Sequence, residues 1–225
     1  MYRDSSGKTL GDYPRPSVAV DTAVLTVGPS GTLDVLLVRR DSAYRGQAWG
    51  LPGTFLHDGE RLADAVLRSL DEKAGLRGTA TPGQLHVFDD PMRDDRGWVL
   101  SVAHVVVLPW RTVAPVLEAR PDDDRLCPVA KAVGLPFDHD HIVRMAVDEL
   151  RAIYRREPDP EGLLSEPFTM RELRQLHEAV AGQRLMPDSF RRLMEPQLED
   201  TGRTREGVVG RPAALYLRPF SASGD

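Results

Sequence analysis

The chain has 225 residues, 41% hydrophobic and 28% charged, values of a globular protein rather than a disordered one, with room for one large and one small domain. A net charge of −5 argues against indiscriminate nucleic-acid binding, yet arginine far outnumbers lysine and clusters near the C-terminus, which leaves room for a local basic surface. Cys127 alone permits no intrachain disulfide, segment 1–14 is a polar tail without a signal-peptide core, and the apolar run Val99 to Trp110 is too short to span a bilayer; a soluble cytoplasmic protein with no membrane partner is expected.

In chain order, SVAVDTAVLTVG (17–28) and LDVLLVRR (33–40) are β-branched runs separated by Pro29-Ser30-Gly31, a hairpin signal. Residues 54–76 then form a loop and an amphipathic helix whose buried face is assigned to Ala65, Leu67 and Leu70, with Gly75 as its stop. Strands follow near 84–88 and at 99–109. Residues 138–156 predict a helix with Asp138 as N-cap and Ile142, Met145, Ala146, Leu150 and Ile153 as its apolar stripe. The Pro- and Gly-rich stretch Glu157 to Gly162 breaks the pattern, so the expected division is a tail at 1–14, a sensing domain at 15–157 and a second domain at 158–225.

In the second domain, Thr169-Met170-Arg171-Glu172 is a capping box opening a helix with Leu173, Leu176 and Val180 inward and Gly182 as its stop. Another helix starts near Pro187-Asp188; Phe190, Leu193 and Met194 face the core and Ser189, Arg191 and Arg192 the outside. Residues 201–218 read as a hairpin carrying Arg203, Arg205 and Arg211. Helix, turn, helix and basic hairpin is the order of a winged helix-turn-helix, with the arginines gathered on the elements that would meet phosphates. A small helical cap with a solvated arginine-rich loop is the alternative reading.

The segment TFLHDGERLADAVLRSLDEKAGL (54–76) resembles the Nudix box, whose pattern is G, five residues, E, seven residues, then R-E-U-x-E-E-x-G-U with U a bulky aliphatic residue. Glu60, Arg68, Leu70, Glu72, Gly75 and Leu76 match it. Thr54 stands at the first glycine, and Ser69 and Lys73 replace two of the three helical carboxylates. Positions 69, 72 and 73 share a helix face, where three glutamates could hold Mg²⁺ against substrate phosphates. Here that face offers a hydroxyl, a carboxylate and an ammonium. Glu72 and Glu60 are left for at most a weak metal site, a multi-metal cluster is not expected, and Lys73 is suited to bind a pyrophosphate directly.

Together with the stretches Arg93 to Ala103, Leu135 to His139, FTMRELRQLHEAVAGQ (168–183), Phe190-Arg191-Arg192 and Gly210 to Tyr216, the degenerate box makes the chain similar to the Nudix-related transcriptional regulators of bacterial NAD metabolism. The resemblance implies an α+β fold: a Nudix-like mixed β-sheet flanked by helices, then a C-terminal winged helix-turn-helix. It implies lost or reduced hydrolysis, with no catalytic residues, resident metal or cofactor. It also implies ADP-ribose or a related nucleotide as effector, and a homodimer on palindromic operator DNA. Arg191, Arg192 and Arg211 become the DNA-contact candidates, joined by Ser189, Arg203 and Arg205. Arg39, Tyr44, Arg45, Trp49, Phe55, Arg68, Glu72 and Lys73 become the effector candidates.

Other residues carry blander expectations. His139-Asp140-His141 reads as exposed capping structure rather than a metal pair, His104 as a packed strand residue and Asp122-Asp123-Asp124 as a solvated loop. Trp49 and Trp98 suit either the core or adenine stacking. Two other functions compete: a working Mg²⁺-dependent hydrolase drawing ligands from Glu60, Asp89, Asp90 or the 121–124 loop, and a scaffolding module.

Overall fold

The computed structural model describes residues 2–44, 46–78, 81–205 and 212–218, with the side chains of 41–44 outside that description. Its spine is β1 (Ser17–Val27), whose buried run from Thr22 to Thr26 reflects a strand covered on both faces. The turn at Gly31, φ 69°, returns the chain into β2 (Leu33–Tyr44), antiparallel with Leu25 opposite Val35. On its other edge β1 runs parallel to β6 (Val99–Val107), which pairs antiparallel with β5 (Gly83–Phe88). Strands β3 (Gln47–Gly50) and β7 (Asp124–Pro128) pair with β2, and β4 (Gly53–Phe55) pairs with β1, giving a seven-stranded mixed sheet.

Alternation along β1 and β2 divides the core. Val20, Val24, Leu36 and Val38 pack on α1 (Leu62–Ala74) and α2 (Trp110–Ala119) through Ala65, Val66, Leu70, Ala74 and Val113. Ala23, Leu25, Val35 and Leu37 face α3 (His139–Tyr154), which contributes Ile142, Val143, Ala146, Val147, Leu150 and Tyr154. The α1 face thus includes Val66 and Ala74, while Leu67 is only half-buried. Asp138 holds the expected N-cap position of α3, but its side chain caps no backbone N–H; its carboxylate accepts from Arg93 Nε at 2.6 Å.

Beyond α3 come β8 (Phe168–Thr169), α4 (Met170–Ala181), α5 (Pro187–Met194), β9 (Glu199–Thr204) and β10 (Ala214–Leu217), the strands ordered β8-β10-β9. The capping box forms as expected: Thr169 Oγ1 accepts from Glu172 N at 3.2 Å, and Glu172 Oε2 accepts from Thr169 N at 2.8 Å. Gly182, φ 71°, ends α4. Phe168, Leu173, Phe190, Met194 and Tyr216 form this unit's core, whereas Leu176 and Val180 on α4 join the α3 core, so the two units share packing. Leu193, expected inside, is 52% exposed: one turn of α5 offers the core only Phe190 and Met194.

The stretch 157–162 is no slack linker. Asp159, fully buried at φ 49°, accepts from Tyr154 Oη (2.9 Å), Leu163 N (2.8 Å), Leu164 N (2.9 Å) and Arg218 Nη1 (2.6 Å). A buried carboxylate tolerates such a place only when its lone pairs are satisfied.

Candidate effector pocket and nucleic-acid interface

The loop before α1 is bolted to the helix by Arg68. Its Nε and Nη2 donate to the two oxygens of Glu60 at 2.8 and 2.9 Å, Nη2 also to Phe55 O at 2.9 Å, and Nη1 to Thr54 Oγ1 at 3.2 Å. The hydrogen bonds from Arg68, then that from His57 N, hold the Glu60 carboxyl down at about 2. Thr54, at the box's glycine position, is therefore used as an acceptor. Arg68 was expected to touch the effector; its donors are occupied in shaping the loop.

The carboxylate face of the box is altered in two ways. Ser69 is not a surface residue but fully buried, and its Oγ has no hydrogen-bond partner among the described residues. Lys73 is half-buried and lines a cavity of about 360 Å³. Glu72 is 56% exposed at the helix surface, 3.6 Å from Arg68 Nη1, and is not among the lining residues. Among the described residues no group of three or more His, Cys, Asp or Glu is placed to hold a metal ion. With Ser69 buried, Lys73 cationic and Glu60 locked to Arg68, the donor set does not fit the metal cluster of an intact box.

The cavity is instead rich in fixed cations. Arg40, Lys73, Arg93 and Arg96 line it together with Asp21, Asp94, Phe55 and Phe137. The acids orient the arginines. Asp94, buried, grips Arg96 through Nε (2.9 Å) and Nη2 (2.6 Å), contacts that lower its pKa; Arg93 lies 3.8 Å from Asp21 and donates to Asp138. The Arg96 guanidinium lies 5.5 and 5.2 Å from the Phe55 and Phe137 ring centroids, and that of Arg40 lies 5.1 Å from Phe137. Phe137 holds a left-handed φ of 55°, a conformation tolerated in a non-glycine residue where its surroundings over-determine it.

Asp21 anchors the floor. Burial pushes its pKa up, but His139 (Nε2 at 3.4 Å), the Ser101 hydroxyl (2.5 Å) and Arg93 overcome this and hold it at about 2. Gly53 packs beside this carboxylate: a Cβ there would lie 2.9 Å from the Val20 carbonyl oxygen and would also run into Asp21 Oδ1, so only glycine fits. His139, expected to be exposed capping structure, is buried, and its Nδ1 accepts from Leu51 N at 3.0 Å. Asp140 instead accepts from Gly134 N and Leu135 N.

Of the effector candidates, Phe55 and Lys73 line the cavity and Arg68 shapes its loop. Arg39 is exposed and absent from the lining, and Trp49 packs on the α3 core with Arg125 4.2 Å from its ring centroid. Arg45 and the Tyr44 side chain lie outside the described residues. Sequence reasoning missed Arg40, Arg93 and Arg96. Strand period could have found Arg40, which continues the Leu36–Val38 face toward α1, whereas Arg39 follows Leu37. As expected, His104 is buried, with Nδ1 3.0 Å from Val102 O, and Asp122 and Asp123 are exposed. Asp124 departs from the solvated-loop reading, being buried against Arg120 at 2.8 Å. Trp98 is 47% exposed and lines no part of the cavity.

At the other end, Ser189, Arg191 and Arg192 share the exposed side of α5, as expected. Arg203 is exposed on β9, and Arg205 donates to Glu172 Oε2 at 2.8 Å; Arg211 lies outside the described residues. A recess of about 440 Å³ opens between the start of α4, Arg191 and residues Pro212 to Ala214 of the hairpin.

Residues 17–150 match the family model of the NUDIX domain, and residues 161–217 that of the NrtR DNA-binding winged helix domain. The chain is 29% identical, over 91% of its length and 83% of the relative's, to the ADPR responsive transcriptional repressor NtrR of Acinetobacter baylyi. It is also 30% identical to the ADP-ribose pyrophosphatase of Methanocaldococcus jannaschii, over 59% of this chain and 73% of that one. Among solved structures it is similar to Shewanella oneidensis NrtR complexed with a 27mer DNA, with TM-score 0.74, 33% identity, and coverage of 89% of this chain and 93% of that chain.

Proposed function

This chain belongs to the Nudix-related transcriptional regulators of NrtR type, and from that premise we propose that it is a homodimeric repressor of NAD metabolism genes that binds palindromic operator DNA and senses ADP-ribose or a related nucleotide. The observation that carries the sensor role is Lys73 with Arg40, Arg93 and Arg96 around one cavity. Four fixed cations against two carboxylates suit a pyrophosphate, and protein charge replaces part of what a metal would supply. Phe55, an exposed ring on the cavity's lining, is suited to stack on a base or sugar. The sensor comprises residues 15–157 and the winged helix 158–225, with Ser189, Arg191, Arg192, Arg203, Arg205 and Arg211 as its DNA-contact candidates. The box is catalytically inactive on this reading, because its carboxylate set is broken at Ser69 and Lys73.

A hydrolase reading draws support from the similarity to an ADP-ribose pyrophosphatase. One purified preparation separates the two. Duplex from the protein's own gene neighbourhood should be retarded in a gel, ADP-ribose should change that retardation without divalent metal, and phosphatase-coupled assay should detect no cleavage across Mg²⁺ and Mn²⁺ concentrations. Turnover of order ~1 s⁻¹ or faster would overturn the inactive sensor, and failure to bind any duplex at low salt would overturn the regulator.

A further inference from the structure

Resting on the regulator reading, we propose that Arg191 is the guanine-reading side chain of α5, positioned by Glu195 and Tyr216, and that its neighbour Arg192 is a phosphate contact. In sequence the two arginines are equivalent; in the structure they are not. Arg191 lies side-on to Glu195, donating from Nε to Oε2 at 2.9 Å and from Nη2 to Oε1 at 2.6 Å. The same Oε1 accepts from the hydroxyl of Tyr216 at 2.6 Å, and Tyr216 is buried in the core of the winged helix. The chain core tyrosine, glutamate, arginine fixes the guanidinium relative to the domain. Among the described residues Arg192 has only a long contact, Nε to its own helix's Asp188 O at 3.4 Å, and it is exposed.

A side-on carboxylate occupies Nε and one Nη2 hydrogen. It leaves the Nη1–Nη2 end with two parallel N–H donors, the fork that matches O6 and N7 of guanine. Fixing the rotamer removes freedom that would otherwise be lost on binding and stops the side chain from swinging to a phosphate. The paired carboxylate also offsets the arginine's charge, so an Arg191–Glu195 unit gains little from phosphate alone and much from a directional base contact. Glu195 stays ionised at neutral pH, since Arg191 first and the Tyr216 hydroxyl second hold its carboxyl at about 2. Arg191 also lines the recess between α4 and the hairpin, which Arg192 does not. The segment carrying Glu195 is itself anchored: Gln197 Nε2 donates to Arg156 O and Leu193 O, both at 3.0 Å.

The test uses full-length protein and duplexes that the wild type selects from a random pool, each position then varied through all four base pairs and measured by fluorescence anisotropy at several salt concentrations. The wild type should prefer guanine at one position per half-site by roughly tenfold, within the range of a bidentate contact. R191A and R191K should flatten that preference to within about twofold, the lysine lacking the fork. E195Q and Y216F should lose most of it while keeping affinity for non-selected duplexes within a few-fold. R192A should weaken every duplex alike and reduce the salt slope by about one unit. An E195Q protein that keeps the guanine preference, or that tightens on all duplexes equally, overturns the assignment; so does R191K keeping it, a readout independent of whether E195Q folds. A wild type that selects duplexes without any guanine dependent on Arg191 sinks this inference alone, whereas one that selects no duplex sinks the regulator reading with it.

Discussion

At the scale of single residues, Ser69 and Lys73 stand one turn apart on α1 and mean different things. Ser69 is buried with an unsatisfied hydroxyl, so the residue is a mild liability to the helix. Ser69→Ala should stabilise the protein by about 0.5–1 kcal/mol in urea unfolding, since an orphan polar atom is removed and alanine is the better helix former. Ser69→Glu should cost ~3 kcal/mol or more, because a carboxylate would enter a site with no partner. Rebuilding the box by Ser69→Glu with Lys73→Glu is thus expected to damage the fold before it restores any chemistry. Lys73 faces the cavity, and Lys73→Ala should weaken ADP-ribose binding by about 1.5–3 kcal/mol, the scale of a hydrogen bond to a charged group. Calorimetry in EDTA measures it, and unchanged affinity would remove Lys73 from the site.

At the scale of elements, the packing of α4 against α5 and α3 turns on His177. Its ring lies between Tyr154 and Phe190, centroids 5.0 Å from each, and its Nε2 accepts from Asp159 N at 3.4 Å. Burial lowers its pKa from 6.5 to about 4. The unfolded chain therefore takes up a proton near pH 6.5 that the folded chain refuses until about pH 4. The stabilising contribution is complete above pH 6.5 and is lost as the pH falls toward 4, with about 2 kcal/mol of the loss between pH 7 and pH 5. His177→Gln should reduce the pH 7 to pH 5 drop in unfolding free energy by that amount; an unaltered drop would place the sensitivity elsewhere. Nothing in the sequence singled out His177, because the α4 stripe of Leu173, Leu176 and Val180 reads as a complete apolar face without it. The elements themselves were legible: the Thr169–Glu172 capping box, Gly182 and the β1–β2 turn each carry local chemistry that dictates one conformation. What escaped reading is set by contacts distant in sequence. Asp138 sits at the N-cap as expected but caps no N–H with its side chain because Arg93 takes its carboxylate, and His139 is buried because Asp21 and Leu51, far away in the chain, offer it partners. The pocket was half legible. The box marked its place and Lys73 its charge, but Arg93 and Arg96 arrive from a loop whose course no periodicity encodes.

At the scale of the whole molecule, a sensor is useful only if its state reaches the DNA-binding face, and the described residues join the two at Asp159. Through Tyr154 this carboxylate holds the end of α3, which packs under the sheet. Through Arg218, which also bonds Leu164 O and lies 3.3 Å from Glu166, it holds the end of β10, the returning strand of the hairpin. Its backbone N–H meets His177, whose ring abuts Phe190 of α5. A shift of α3 relative to the sheet is therefore expected to reach both elements that would touch DNA, through these shared contacts. Asp159→Ala should loosen much of this junction, at a cost of about 3–5 kcal/mol, since it leaves Tyr154 Oη and the Leu163 and Leu164 N–H groups without their acceptor and takes one of two carboxylates from Arg218. Arg218→Gln is the more informative change: it removes the ion pair yet leaves an amide able to donate to Asp159. With this variant, DNA and ADP-ribose should each still bind alone, while the factor by which one alters the affinity of the other falls toward unity. In the wild type that factor corresponds to ~1–3 kcal/mol and must be the same in both directions. Anisotropy titrations of duplex with and without ADP-ribose, paired with calorimetry of ADP-ribose with and without duplex, measure it twice. An Arg218→Gln protein that retains the full factor would show that the coupling bypasses Asp159 and runs instead through the shared α3–α4 core at Leu176 and Val180.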